Sequence, residues 1–138
     1  MRVFVDANVI LDAILKREPF AKDSEGFLAL CANRKAALAP HTVSNIFFIL
    51  RKKFSEHERK SMLLEILSYI DIVPTGRHQI IQALKNDAIG DFEDALQLEC
   101  AREFNADFIV TRDPGNFVGS EIETIPPREF VETYGDRW

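Results

Sequence analysis

The chain encodes an α/β layered sheet with parallel strands, and three features of its sequence say so. Short apolar runs of strand length alternate with stretches whose apolar residues recur at helical spacing. Successive strand-like runs are separated by one or more helical stretches, which implies parallel pairing through right-handed crossovers. No internal repeat, low-complexity segment or linker breaks the pattern, so residues 1–138 are expected to form a single domain.

RVFV at 2–5 reads as a buried strand, and Asn8 to Arg17 as a helix with Val9, Leu11, Ile14 and Leu15 apolar. Pro19 suits the first turn of a second helix, where its missing N–H costs nothing; that helix carries Phe27, Leu28 and Cys31 and ends near Asn33. AALAP at 36–40 is a second strand. Thr42 to Phe54 is helical, with Val43, Ile46, Phe47 and Leu50 on one face. Ser55 and Glu58 have the spacing of a capping box for a fourth helix that runs through Tyr69. IDIVP at 70–74 is a third strand, followed by a fifth helix from about Arg77 or His78 to Asp87. Asp91 to Phe104 is a sixth helix, FIVT at 108–111 a fourth strand and IETI at 122–125 a fifth. Pro127 opens a last short helix towards Tyr134.

Composition narrows the function classes. Hydrophobic residues at 46% and charged residues at 28% are globular values, and no apolar run approaches the ~20 residues of a membrane-spanning helix. The start, MRVFVDANVIL, lacks the layout of a secretory leader. Cys31 and Cys100 lie in helical patterns without a CxxC or histidine companion, as buried free thiols in a reducing compartment do, so the cytoplasm is the expected address. A net charge of −5 disfavours coating nucleic acid by electrostatics alone. Positive charge is local: Arg51, Lys52 and Lys53, then Arg59 and Lys60, form the densest basic stretch, which a solvated helix end would also produce.

The segment GDFEDALQLECAREFNADFIVTRDPGNF (90–117) sets Asp91, Asp94 and Asp113 close to a strand-like run. Asp6 directly follows the first strand and Asp113 the fourth, at the carboxyl ends where open α/β sheets place their sites. Asp91 and Asp94 share the first turn of the sixth helix, whose N-terminus should lie at the same end of the sheet. Three chain segments thus deliver acids to one place. Each alone has a plainer reading: Asp91 as an N-cap with Asp94 completing a capping box, Asp113 as a turn residue, Asp6 and Asn8 as helix caps, Thr111 as an ordinary strand residue. Their coincidence at strand ends favours a site. Two carboxylates ~4 Å apart repel by about 4 kcal/mol at an effective dielectric near 20, so such a cluster either protonates or takes up a dication. An all-oxygen set selects Mg²⁺ or Mn²⁺, whose bound water serves phosphodiester hydrolysis.

These residues resemble the PIN-domain nuclease family, including the toxins of bacterial toxin–antitoxin pairs. VDANVILDAIL (5–15) resembles its opening motif, DFEDAL (91–96) the acidic start of its late helix, and IVTRD (109–113) its Thr-x-Asp after the next strand. The order and spacing fit over essentially the whole chain. The resemblance implies a three-layer α/β/α fold with a parallel sheet of four to five strands, and a metal-dependent ribonuclease acting on single-stranded RNA. It makes Asp6, Asp94 and Asp113 metal ligands and catalytic residues, Asp91 a supporting acid, and Asn8 and Thr111 orienting residues. Arg51, Lys52, Lys53 and Arg112 are then candidate RNA contacts, and an antitoxin and a homodimer are the implied partners. One departure stands out: in HTVSNIFFIL, Asn45 occupies the place of the family's acidic residue, which lowers the expected metal affinity.

Other classes fit less well. A phosphoacceptor receiver domain needs an aspartate at the end of the third strand, and IDIVPTG has Asp71 at its start. A haloacid-dehalogenase-like phosphatase needs Asp-x-Asp after the first strand, where this chain has DAN. A PIN-like module that binds RNA or a protein partner without cleavage is the rival that matches as many residues.

Overall fold

β1 (Arg2–Val5) is the centre of the sheet, because the apolar run that forms it is buried on both faces. In the computed structural model, which describes residues 1–138, it pairs in parallel with β2 (Lys35–Leu38) on one side and β4 (Phe108–Val110) on the other. β3 (Asp71–Ile72) extends the sheet beyond β2, and β5 (Glu123–Ile125) extends it beyond β4. The order is β3-β2-β1-β4-β5, all parallel, so winding reverses between β1 and β4. The register sets Val5 opposite Val110, which brings the residues following these two strands to the same edge.

Alternation along the strands builds three layers. Val3, Val5, Ala36, Leu38, Phe108 and Val110 belong to one core cluster. It is covered by α1 (Ala7–Ile14), α2 (Ala21–Cys31), α3 (Pro40–Ile49), α4 (Glu56–Leu67) and α7 (Pro127–Tyr134). Phe4, Ala37 and Ile109 point the other way, into a cluster closed by α5 (Arg77–Lys85) and α6 (Phe92–Glu103). An aromatic group ties the chain's end to the first layer: Phe130 meets Phe27 at 5.6 Å and Trp138 at 5.2 Å, both edge-on. Cys31 and Cys100 are free and buried, and burial pushes the Cys31 thiol up to about 12. No helix is long and apolar enough to cross a membrane.

Several boundaries differ from those the sequence predicts. α1 stops at Ile14, short of Arg17, and Lys16 takes a left-handed conformation at φ 55°. Pro19 lies in the turn ahead of α2, where the Phe20 and Ala21 N–H groups both donate to the Arg17 carbonyl. Pro40 leaves the second strand and becomes the first residue of α3, as its fixed φ and absent N–H favour. The Ser55–Glu58 capping box is present in full. A 3-10 turn at Pro114–Phe117, unforeseen in the sequence, folds the chain after β4 over the site edge.

Candidate functional site

Asp6 directly follows β1 and occupies the N-cap position of α1, yet its carboxylate makes no capping bond. It is spent on distant partners. The Thr111 hydroxyl, one residue beyond β4, donates to Asp6 Oδ2 at 2.8 Å, and Gln97 Nε2 on α6 donates to Oδ1 at 3.0 Å. All three residues are buried. Burial raises the Asp6 carboxyl above its ordinary value, and the Thr111 and Gln97 hydrogen bonds offset only part of that.

Asp94 faces Asp6 from the first turn of α6. Gln97 Nε2 also donates to Asp94 Oδ1 at 3.3 Å, so one amide nitrogen links the two carboxylates. Their acceptor oxygens are no farther apart than those two bonds laid end to end. Asp94 is pushed up to about 7, first by desolvation and then by the negative charges of Asp6 and Asp91. Asp91 is the N-cap of α6: its Oδ1 accepts from the Asp94 N–H at 3.0 Å. The reciprocal capping bond from Asp94 is not made, and its side chain turns to Gln97 and the cleft instead.

A cleft of about 510 Å³ opens over these acids. Asp6, Asp91 and Asp94 line it, as do Asn8 and Asn45, so five of the residues singled out in the sequence meet here. Thr111 lies beneath it, holding Asp6. His41, Glu93, Gln97 and Asn116 complete the polar wall and were missed by the sequence reading. Gln97 had a readable signal, since it follows Asp94 by one helical turn on the same face. Glu93 Oε is not its link to the wall; the Glu93 carbonyl lies 3.3 Å from His41 Nε2, and burial lowers the His41 pKa. A separate groove of about 420 Å³ between α1, α2 and α4 is mainly apolar and gathers no acid cluster.

Asp113 does not line the cleft, so the expected meeting of three acids is incomplete. Its backbone N–H donates to Thr111 Oγ1 at 3.1 Å, which leaves it one link from Asp6. Its carboxylate, however, pairs with Arg112 Nε at 3.3 Å. Arg112 in turn reaches inward: Nη1 lies 3.4 Å from the fully buried Asp12, and the guanidinium stacks 4.5 Å from the centre of the Phe20 ring. This arginine, expected among the RNA contacts, is instead occupied by two carboxylates and a ring. No three histidine, cysteine, aspartate or glutamate side chains stand together as a set that could hold an ion.

By kind, the donors at the cleft fit a hard divalent cation. Burial raises both facing carboxylates, for Asp94 with the added repulsion of Asp6 and Asp91, and the Gln97 Oε1 beside them is buried without a partner. All are oxygen ligands, the preference of Mg²⁺ and Mn²⁺.

Comparisons with known proteins agree with this architecture. The structure of VapBC2 from Rickettsia felis bound to a DNA fragment from its promoter matches with a TM-score of 0.64 at 19% identity, over 91% of this chain and 98% of that one. FitAB bound to the IR36 DNA fragment matches with a TM-score of 0.63 at 15% identity, over 91% and 95%. FitAcB from Neisseria gonorrhoeae gives 0.58 at 18%, over 91% and 97%. At such identities the likeness is one of fold. No curated protein matches the sequence. The family model for the PIN domain matches residues 2–114, from β1 to the start of the turn after β4, and thereby takes in Asp6, Asp94, Thr111 and Asp113. The chain belongs to the PIN-domain family.

Proposed function

We propose that this protein is a metal-dependent nuclease that hydrolyses phosphodiester bonds of single-stranded RNA. The observation that carries the reading is the pairing of Asp6 and Asp94 through one Gln97 amide at the carboxyl edge of a parallel sheet. In this reading Asp6 and Asp94 hold Mg²⁺ or Mn²⁺, with Asp113 acting through water and Asp91 fixing the start of α6. Bound there, the ion supplies a nucleophilic water and neutralises charge on the scissile phosphate. Thr111 and Gln97 orient Asp6, while Asn8 and Asn45 line the same cleft and would offer polar contacts to water on a bound ion.

Labelled single-stranded RNA incubated with Mn²⁺ tests this. Cleavage that requires the ion and disappears in Asp6→Ala, with the variant still folded by circular dichroism, is the expected result. Ion-independent cleavage, or cleavage retained by Asp6→Ala, would remove the basis of the proposal.

Two observations favour a second reading, a module that binds without cutting. Asn45 brings no charge to the cleft wall, and Arg112 holds Asp113 outside it. Absence of cleavage by the parent protein, with RNA binding intact, would select that reading. The solved structures of VapBC2 and FitAB, both bound to DNA, support a further partner for this chain, an antitoxin-like protein, and we extend the proposal to a toxin acting as a cytoplasmic homodimer.

A further inference from the structure

The acidic cleft continues into a basic one across a single exposed aromatic residue. Phe48 and Ile49, at the end of α3, line the cleft that contains Asp6 and Asp94. The same two residues line a neighbouring groove of about 400 Å³ shared with Leu15, Arg17, Arg51, Lys52 and Lys53. No acidic side chain lines that groove. Arg17 is paired with the buried Asp12, but Arg51, Lys52 and Lys53 belong to no ion pair and are exposed.

Phe48 is 60% exposed, an unusual position for a phenyl ring at the rim of a polar cleft. The ring is held in place. The Arg51 guanidinium stacks over it at 3.6 Å from the ring centre, and Arg51 Nη1 donates to the Phe48 carbonyl at 2.9 Å. Arginine and phenyl together form a flat, cationic stacking surface that loses little freedom on binding. Such surfaces receive nucleobases, and the flanking lysines offer charge to the phosphates.

We infer that Phe48 and Arg51 form a base-stacking subsite for single-stranded RNA. The strand's backbone crosses Lys52 and Lys53 before it reaches the acids. This rests on the nuclease reading for the identity of the substrate, and it adds a site outside the residues that would hold metal. An acidic protein surface would also meet the lysines, but it has no flat π-face to match the stacked pair. Continuity with the acid-lined cleft favours the nucleic acid.

The test is fluorescence anisotropy with a labelled single-stranded oligoribonucleotide in chelator, at low salt, for the parent protein, Phe48→Ala, Phe48→Leu and Lys52→Glu/Lys53→Glu. A second probe carries abasic residues in place of its bases. Loss of one base stack is worth about 1–3 kcal/mol, or about 5- to 150-fold in affinity. Both Phe48 variants should weaken the normal strand by at least fivefold and leave the abasic strand unchanged, since leucine restores apolar area but no ring. The double lysine variant should weaken both probes and flatten the salt dependence. Leu84→Ala, an equally exposed apolar change on α5, should alter neither.

Equal binding of both probes by the parent, or unchanged affinity in Phe48→Ala, would overturn the subsite and leave the patch to an acidic protein. A parent dimer that becomes monomeric in Phe48→Ala would overturn it in favour of contact with a second copy. Binding with these dependences but without cleavage in Mn²⁺ would sink the nuclease reading alone. Cleavage with no dependence on Phe48 would sink the subsite alone.

Discussion

The Gln97 side-chain amide donates to the buried Asp6 carboxylate across 3.0 Å, and the same nitrogen reaches Asp94 at 3.3 Å. A neutral donor thus stands where two negative groups face each other, a weak stand-in for positive charge. Replacing it by a group of similar volume without the donor, Gln97→Leu, should cost about 1–3 kcal/mol of stability in chelator at pH 8. Saturating Mn²⁺ should recover more of that loss in the variant than it adds to the parent. Thermal melts with EDTA and with Mn²⁺ measure both, and an unchanged melting temperature in EDTA would show that the bridge carries no stability.

Asp94 makes stability depend on pH. Its folded pKa of about 7 lies above the ~3.9 of an unfolded aspartate, so over the interval between them the folded chain holds a proton that the unfolded chain releases. The stabilisation is full below about pH 4 and is lost as pH rises through about 7. Asp6, raised in the same direction, adds to the trend. In chelator the melting temperature should therefore fall between pH 5 and pH 8. Asp94→Asn should flatten that fall and exceed the parent at pH 8 by about 1 kcal/mol, once solvent screening of a half-exposed group is allowed for. Parallel pH profiles in the two proteins would contradict the assignment.

Arg112 is a structural cation. Asp12 is fully buried, and its only positive neighbours are Arg112 at 3.4 Å and Arg17 at 3.7 Å. Arg112→Ala should cost about 1–3 kcal/mol, less than the full penalty of stranding a buried charge, because Arg17 stays within reach of Asp12. The paired change Asp12→Leu with Arg112→Met should restore most of it. Urea denaturation of the three variants supplies the numbers. A loss below 1 kcal/mol in Arg112→Ala would mean that Arg17 suffices.

Asn45 lines the cleft without charge. Asn45→Glu should tighten Mn²⁺ binding, because it adds a carboxylate to a cleft whose acids do not yet gather three side chains as one ion-holding set. Titration calorimetry of both proteins decides the point, and equal affinities would remove Asn45 from the metal's surroundings.

Much of this architecture can be read from local sequence. The strands β1 and β4 are short apolar runs, each followed at once by polar residues: Asp6 of the cleft in one case, and in the other Thr111, which holds Asp6, with Asp113 two residues on. Prolines were harder to place, because the same fixed φ suits a turn, a strand end or a first helical turn: Pro19, expected in the first turn of the second helix, lies ahead of α2, and Pro40, expected at the end of the second strand, opens α3. The fate of Asp113 was not legible. Its neighbour Arg112 is drawn to Asp12, a hundred residues earlier, and nothing local announces that a helix residue in VILDAIL is a buried carboxylate in need of a cation. The Gln97 bridge lay between these cases: its spacing from Asp94 was visible, but its second bond runs to Asp6, ninety-one residues away.

A crystal soaked in Mn²⁺, with an anomalous difference map, tests the central proposal most directly. One peak is expected in the cleft, bonded to an Asp6 oxygen and to Asp94 directly or through one water, with the Gln97 amide moved from its bridging position. Manganese bound elsewhere, or a cleft without a peak at saturating Mn²⁺ and Gln97 still bridging both carboxylates, would contradict it.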